Sequence, residues 1–201
     1  MKKIILASLI AVFSATQLMG CQPNEQTAEI EPKKYSEIEW IELMPKDELE
    51  LILNPPEEVY AIEDGSSEDN IDSLEALAKG DDPVSQYYAA LSSATVIEAF
   101  DNVAIKLPGF IVPLAYNKDK KITEFFIVPY FGACLHMPPP PPNQMIYAKI
   151  EEGIELQGTT YDPFWFEGTV AIELTEREMG TAAYELKVDT IKPYMEIEEE
   201  S

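Results

Sequence analysis

The residues best suited to chemistry are Cys134 and His136, two positions apart and shortly followed by a run of prolines from Pro138 to Pro142. His136 is the only histidine of the chain, and Cys134 is one of two cysteines. In an extended segment, side chains two residues apart project to the same side, with Leu135 and Met137 on the other. Proline fixes φ and lacks a backbone donor, so the run predicts a stiff polyproline strut. Thiolate and imidazole are preferred ligands of zinc and, with thioether sulfur, of cuprous ion. Two ligands do not close a tetrahedral site, so carboxylates from elsewhere would have to complete it. A blue-copper centre needs a second histidine and is excluded. The competing chemistry is nucleophilic catalysis, with Cys134 as thiolate and His136 as base. A catalytic pair, however, ordinarily arrives from different elements so that the two groups face each other. The third reading is structural: a buried thiol and a hydrogen-bonded imidazole packed beneath the prolines. On the residues alone all three stay open. The same stretch also offers a docking surface, because a preformed polyproline segment fits aromatic grooves. Tyr130, Phe131, Pro138, Pro139, Pro140, Pro141 and Pro142 are therefore candidate partner-binding residues.

The other cysteine has a different context. Lys2 and Lys3 precede an apolar run from Ile4 to Phe13, too short to span a membrane, and Leu18-Met19-Gly20-Cys21 resembles a bacterial lipobox. The expectation is a lipoprotein signal peptide over residues 1–20, with Cys21 lipidated and anchoring the chain to a membrane. By analogy with Gram-negative lipoproteins, where Asp after the cysteine favours retention at the inner membrane, Gln22 points to the periplasmic face of the outer membrane. Lipid chains contribute about 0.8 kcal/mol per buried methylene, so such an anchor is durable. With Cys21 lipidated, Cys134 has no intramolecular disulfide partner.

The chain has 37 acidic and 14 basic residues in 201, a formal net charge of −23. Nothing in that balance would neutralise phosphates, so a nucleic-acid partner is excluded. A hydrophobic fraction of 46% with 10% aromatics excludes a disordered acidic tail. An anionic surface concentrates cations, though solubility alone also accounts for it.

Five segments follow. Residues 1–20 are the signal peptide and residues 21–37 a polar tether. Residues 38–94 form an acidic, mainly helical segment, 95–195 a β-barrel domain and 196–201 an acidic tail. In the helical segment, Trp40, Ile41 and Leu43 precede Pro45, and Leu49, Leu51 and Ile52 suggest a short helix ended by Pro55-Pro56. Ile71, Leu74, Leu77 and Ala78 have helical spacing. Pro83 suits a first helical position, with Val84, Tyr87, Tyr88 and Leu91 on one side. The acidic stretch from Glu57 to Asp82 reads as a solvated face rather than a partner contact.

After Thr95 the period becomes two. Val96–Phe100 and Val103–Leu107 read as a hairpin turning at Asp101-Asn102. Pro108-Gly109 then bends the chain into Phe110–Leu114. A polar turn at Asn117–Lys120 leads to a strand over Ile122–Val128. Later strands are predicted at Phe164–Leu174 and Ala183–Val188. Gly109 and Gly168 are placed where the sheet must curve sharply. Tyr130, Phe131, Tyr147, Tyr161, Trp165 and Phe166 would line a pocket or, as aromatics at strand spacing more often do, build the core. The fold class is an all-β core with N-terminal helices, a small antiparallel barrel of the oligonucleotide-binding type taken only as a shape; a two-sheet β-sandwich is the alternative.

Several of these stretches together resemble an uncharacterised family of proteobacterial lipoproteins, a domain of unknown function. They are Gly109–Leu114, Val128–Met137 with the five prolines and Asn143-Gln144, Phe164–Thr169 and Gly180–Tyr184. The likeness spans Trp40 and then Val96 to Tyr194. It implies genes beside an export-type ABC transporter and a periplasmic partner, in clusters responding to zinc limitation. It therefore implies a non-enzymatic accessory to a zinc-handling or ABC transporter system, with Cys134 and His136 as candidate ligands of zinc. A transporter or a periplasmic metal-binding protein would be the partner. A protein-interaction adaptor docking through the proline-rich segment and a thiol-dependent enzyme are the alternatives.

Overall fold

The computed structural model describes residues 33–61, 76–133 and 140–194. Contacts divide the chain into Met1–Pro32 and Lys33–Ser201, and only the second unit contains described residues. The signal peptide, Cys21, most of the helix expected over 71–78, the segment from Cys134 to Pro139 and the acidic tail lie outside them.

The unit begins with β1 (Ser36–Glu37), a 3-10 turn at Trp40–Leu43 and α1 (Lys46–Leu53). Asp47 and Glu48 in the first turn of α1 complement its dipole, and the C-cap Asn54 returns its N–H to the Glu50 carbonyl before Pro55-Pro56 stop the helix. The helix α2 (Pro83–Leu91) starts as the sequence predicts, with proline at the first position. Asp82 caps it, accepting from the Val84 and Ser85 N–H groups. Ser85, Tyr88 and Ala90 are buried.

The core is a closed barrel of β2 (Ala104–Tyr116), β3 (Ile122–Val128), β4 (Ile146–Ile154), β5 (Phe164–Arg177) and β6 (Gly180–Pro193). Neighbours run β2–β3–β4–β6–β5, and β5 returns to β2. Within the ring only β4 and β6 are parallel. This is the expected small barrel, mixed rather than wholly antiparallel. A sandwich does not form because β2 pairs on both sides. Its first half, Ala104–Gly109, pairs with β5, and its second half, from Phe110 on, pairs with β3. β1 adds in parallel to β2 at Ile105-Lys106, along the half that β3 does not cover.

That exchange of neighbours explains two differences from the sequence reading. Pro108-Gly109 does not separate two strands; it is the point inside one strand where the partner changes. Proline is tolerated there because a ladder donor is dispensable at the crossing. Gly109 is required by close approach, since a Cβ would lie 2.8 Å from Ile127 Cγ2 and 3.0 Å from the Val128 carbonyl oxygen. Val96–Phe100 is likewise not a strand but leads into a 3-10 turn at Glu98–Phe100. Val96 and Phe100 pack against the barrel core without pairing. Asn102, with φ at 59°, instead turns the chain onto β5, its N–H bonding the Val170 carbonyl at 2.9 Å.

The strand β4 is absent from those the sequence predicts. Ile146 and Ala148 are buried inward, but Lys149, Glu151, Glu152 and Gly153 weaken the local strand signal, and the partner β6 is distant in sequence. β5 and β6 also run longer than predicted. A register shift between Ile172 and Thr175 reverses the phase of β5, so that Leu174 is exposed and Thr175 buried. Inside the barrel, Ile105, Leu107, Phe125, Phe166 and Leu186 are sealed from solvent. Tyr184 ties this core to the N-terminal layer, donating to the Leu43 carbonyl at 2.8 Å and accepting the Ile97 N–H at 2.7 Å.

Candidate functional site

The sequence places its chemistry in the connection from β3 to β4. Cys134, His136, Pro138 and Pro139 lie outside the described residues, but both flanks of the segment are defined. On one side Ala133 is fully buried. It belongs to a second apolar cluster with Phe126, Val128, Met145, Tyr147 and Ala182, on the outside of the barrel, against which Phe110, Val112 and Leu114 pack. The β3–β4 connection thus contributes Ala133 to this outer cluster.

On the other side Pro140 and Pro141 are buried, and a 3-10 turn at Pro142–Gln144 leads into β4. Asn143, fully buried, donates its amide to Glu48 Oε2 of α1 at 2.9 Å and to the Thr95 carbonyl at 3.0 Å. The Asn143 backbone N–H reaches the Ser93 carbonyl at 3.3 Å. Glu48 accepts a further bond from the Ser93 hydroxyl at 2.7 Å. Gln144 donates to the Trp40 carbonyl at 2.8 Å. Among the described residues the buried Asn143 side-chain oxygen has no partner. Turning the amide over would set that oxygen against the Glu48 carboxylate, so the donor-to-Glu48 orientation is the favourable one. The end of the proline run is thus pinned to both helical segments. Asn143-Gln144 stood among the family blocks; Glu48 carried no sequence signal and was missed.

The aromatic candidates separate. Tyr147 and Phe166 are buried, as the core reading expects, and Trp165 is half-buried. Tyr130, Phe131 and Tyr161 are exposed by 47%, 48% and 68%. Phe131 packs on Tyr161 with ring centroids 4.9 Å apart and approaches Phe110 at 6.3 Å. With Val112 and Met179 these rings line a groove of about 200 Å³. Beside the outer cluster, Arg177 donates to the Tyr147 hydroxyl at 3.0 Å and lies over its ring. Burial, followed by a hydrogen bond to Glu124, holds the Tyr147 hydroxyl above its ordinary pKa, so it remains protonated. Among the described residues no group of three or more His, Cys, Asp or Glu side chains is arranged to hold a metal ion. Nor is any described helix long and apolar enough to cross a membrane.

The model of a protein family described as "Protein of unknown function (DUF3299)" matches residues 40–193. The chain belongs to the DUF3299 family. A solved relative agrees: the crystal structure of a DUF3299 family protein (PA4066) from Pseudomonas aeruginosa PAO1, at 2.45 Å resolution. It is 34% identical, with a TM-score of 0.56, over 82% of this chain and 99% of that one. No curated protein matches. At this level the resemblance read from the sequence holds: the DUF3299 match begins at Trp40 and includes every block on which the resemblance rested.

Proposed function

We propose that this DUF3299 protein is a non-enzymatic accessory of the bacterial envelope, held by lipid on Cys21 at the periplasmic face of the outer membrane. In this reading it serves a zinc-handling or ABC transport system through Cys134 and His136. The observation behind it is that both described flanks of the segment bearing that pair are held by the barrel and its helical layer. Ala133 is buried in the outer cluster on one side, and Asn143 is bonded to Glu48 and Thr95 on the other. Ligand groups are best supported by a rigid frame, and both flanks belong to one. The net charge of −23 supports the absence of a nucleic-acid role. Zinc titration with thermal unfolding tests the metal role. The account expects zinc to raise the melting temperature of the wild type by mass action and to leave Cys134→Ser unchanged. No shift in the wild type contradicts it.

A second reading is favoured by the exposure of Phe131 and Tyr161 around an apolar groove. In it the same connection docks a transporter or periplasmic partner protein, and Phe131→Ala with Tyr161→Ala weakens that association without altering zinc binding. A thiol-dependent enzyme is less well supported, because the cysteine and histidine come from one short segment rather than from facing elements.

A further inference from the structure

We infer a second binding site, remote in sequence from the β3–β4 connection and independent of the zinc reading. It is the cleft between Trp40, Trp165 and Tyr194, rimmed by Glu37, Glu39 and Glu42, and it takes an organic cation: an alkylammonium or guanidinium head on an apolar stem. The cleft has a volume of about 540 Å³ and opens where β1, the 40–43 turn, the middle of β2 and the start of β5 meet the end of β6.

Its walls are fixed before any ligand arrives. The Trp40 indole N–H donates to the Pro108 carbonyl at 2.7 Å. The rings of Trp165 and Tyr194 lie 5.0 Å apart at 42°, and the Tyr194 backbone N–H holds the Pro163 carbonyl at 3.0 Å. Glu42 accepts the Glu39 N–H at 2.7 Å, which orders the rim. Aromatic faces joined to carboxylates attract a cation through ring quadrupole and charge together. An anion meets the repulsion of the rim carboxylates, and a neutral ligand leaves Glu39 and Glu42 uncompensated.

One of the chain's own side chains already demonstrates this preference. The Lys106 ammonium lies 3.8 Å from the centre of the Trp165 ring and 2.9 Å from Glu37 Oε2. Two groups of the cleft therefore hold a cation between them. Lys106 answers Glu37 alone; among the described residues Glu39 and Glu42 have no ion-pair partner. Among the described residues Lys106 is the basic side chain that reaches the groups of the cleft, in a molecule whose net charge of −23 draws cations towards it.

Trp40 and Trp165 are the only tryptophans of the chain, so intrinsic fluorescence reports on this cleft. The test uses the full-length chain in nonionic detergent. Choline and a short arginine-containing peptide amide are titrated separately, against 3,3-dimethylbutan-1-ol, which has the shape of choline without its charge. Saturable change with either cation, about tenfold weaker or more with the neutral analogue, is the expected result. Tighter binding of the peptide than of choline identifies the source as a basic side chain of a partner; the reverse identifies a free cation. Glu42→Gln keeps an oxygen for the Glu39 N–H and should fold as the wild type does, yet bind the cation several-fold more weakly. Cys134→Ser should bind it unchanged. Absence of saturable change with both cations, or an equal response to the neutral analogue, overturns the assignment.

Discussion

Gly168 lies at a register shift between β5 and β6, and a Cβ there would meet the Lys187 carbonyl oxygen at 2.5 Å and Leu186 Cγ at 2.8 Å. The first contact is backbone and cannot rotate away. Gly168→Ala should therefore destabilise the fold by about 1–3 kcal/mol, read as a lower urea midpoint. Tyr184→Phe removes one hydroxyl that serves both the Leu43 carbonyl and the Ile97 N–H. Leaving buried polar groups unmatched costs about 1–3 kcal/mol, so this substitution should show a comparable loss in the same measurement. A hydrogen bond from Lys33, and a second from the Tyr35 hydroxyl, hold the Asp189 carboxyl below its ordinary pKa. Its folded pKa is depressed, so its contribution is present above the unfolded value of roughly 3.9 and is lost as pH falls through the folded value. With about a third of the side chain exposed, the contribution is small. The stability gap between wild type and Asp189→Asn should be constant near neutral pH and close in acid, which denaturant curves across pH will show. Of these residues only Gly168 is legible in the sequence, because glycine within an alternating strand signals a bulge. The partners of Tyr184 and Asp189 come from far along the chain and leave no local pattern.

At the scale of elements, the pin at Asn143 joins the barrel to both helical segments. Asn143→Ala removes the bonds to Glu48 and Thr95 and opens a gap in a fully buried position, so a loss of about 1–3 kcal/mol is expected in thermal or urea unfolding. Strand β3 was readable to the residue and helix α2 at its start, because a compact apolar run and proline at the first helical position are local signals. The hairpin expected around Asp101-Asn102 was a false reading of the same kind of pattern. Val96 and Phe100 are apolar because they pack against the barrel core, not because they pair. β4 escaped for the opposite reason, its acidic and glycine-containing half hiding a strand whose parallel partner is non-local. In the candidate site, the exposure of Phe131 and the burial of Tyr147 depend on which face of β3 and β4 the connection covers. Spacing alone does not fix that.

The described part of the second unit is a closed barrel preceded by helices, in a chain of net charge −23. Self-repulsion at that charge destabilises the compact state and is screened by salt. The melting temperature should accordingly rise as ionic strength goes from about 10 mM to about 500 mM, with most of the gain below the point where the Debye length is a few ångströms. Charge and composition were legible at once, and barrel closure followed from short strands with internal glycines at Gly109 and Gly168. The handover of β2 from β5 to β3, which closes the ring, was not, since it is a property of pairing rather than of any one strand. The family assignment leaves the role of the segment between Ala133 and Pro140 as the central claim. The most direct measurement is the metal content of wild-type and Cys134→Ser protein purified from the native envelope of cells grown with adequate zinc. Stoichiometric zinc in the wild type and its loss in the variant are the predicted result. Metal-free wild-type protein, or equal zinc in both, contradicts the account.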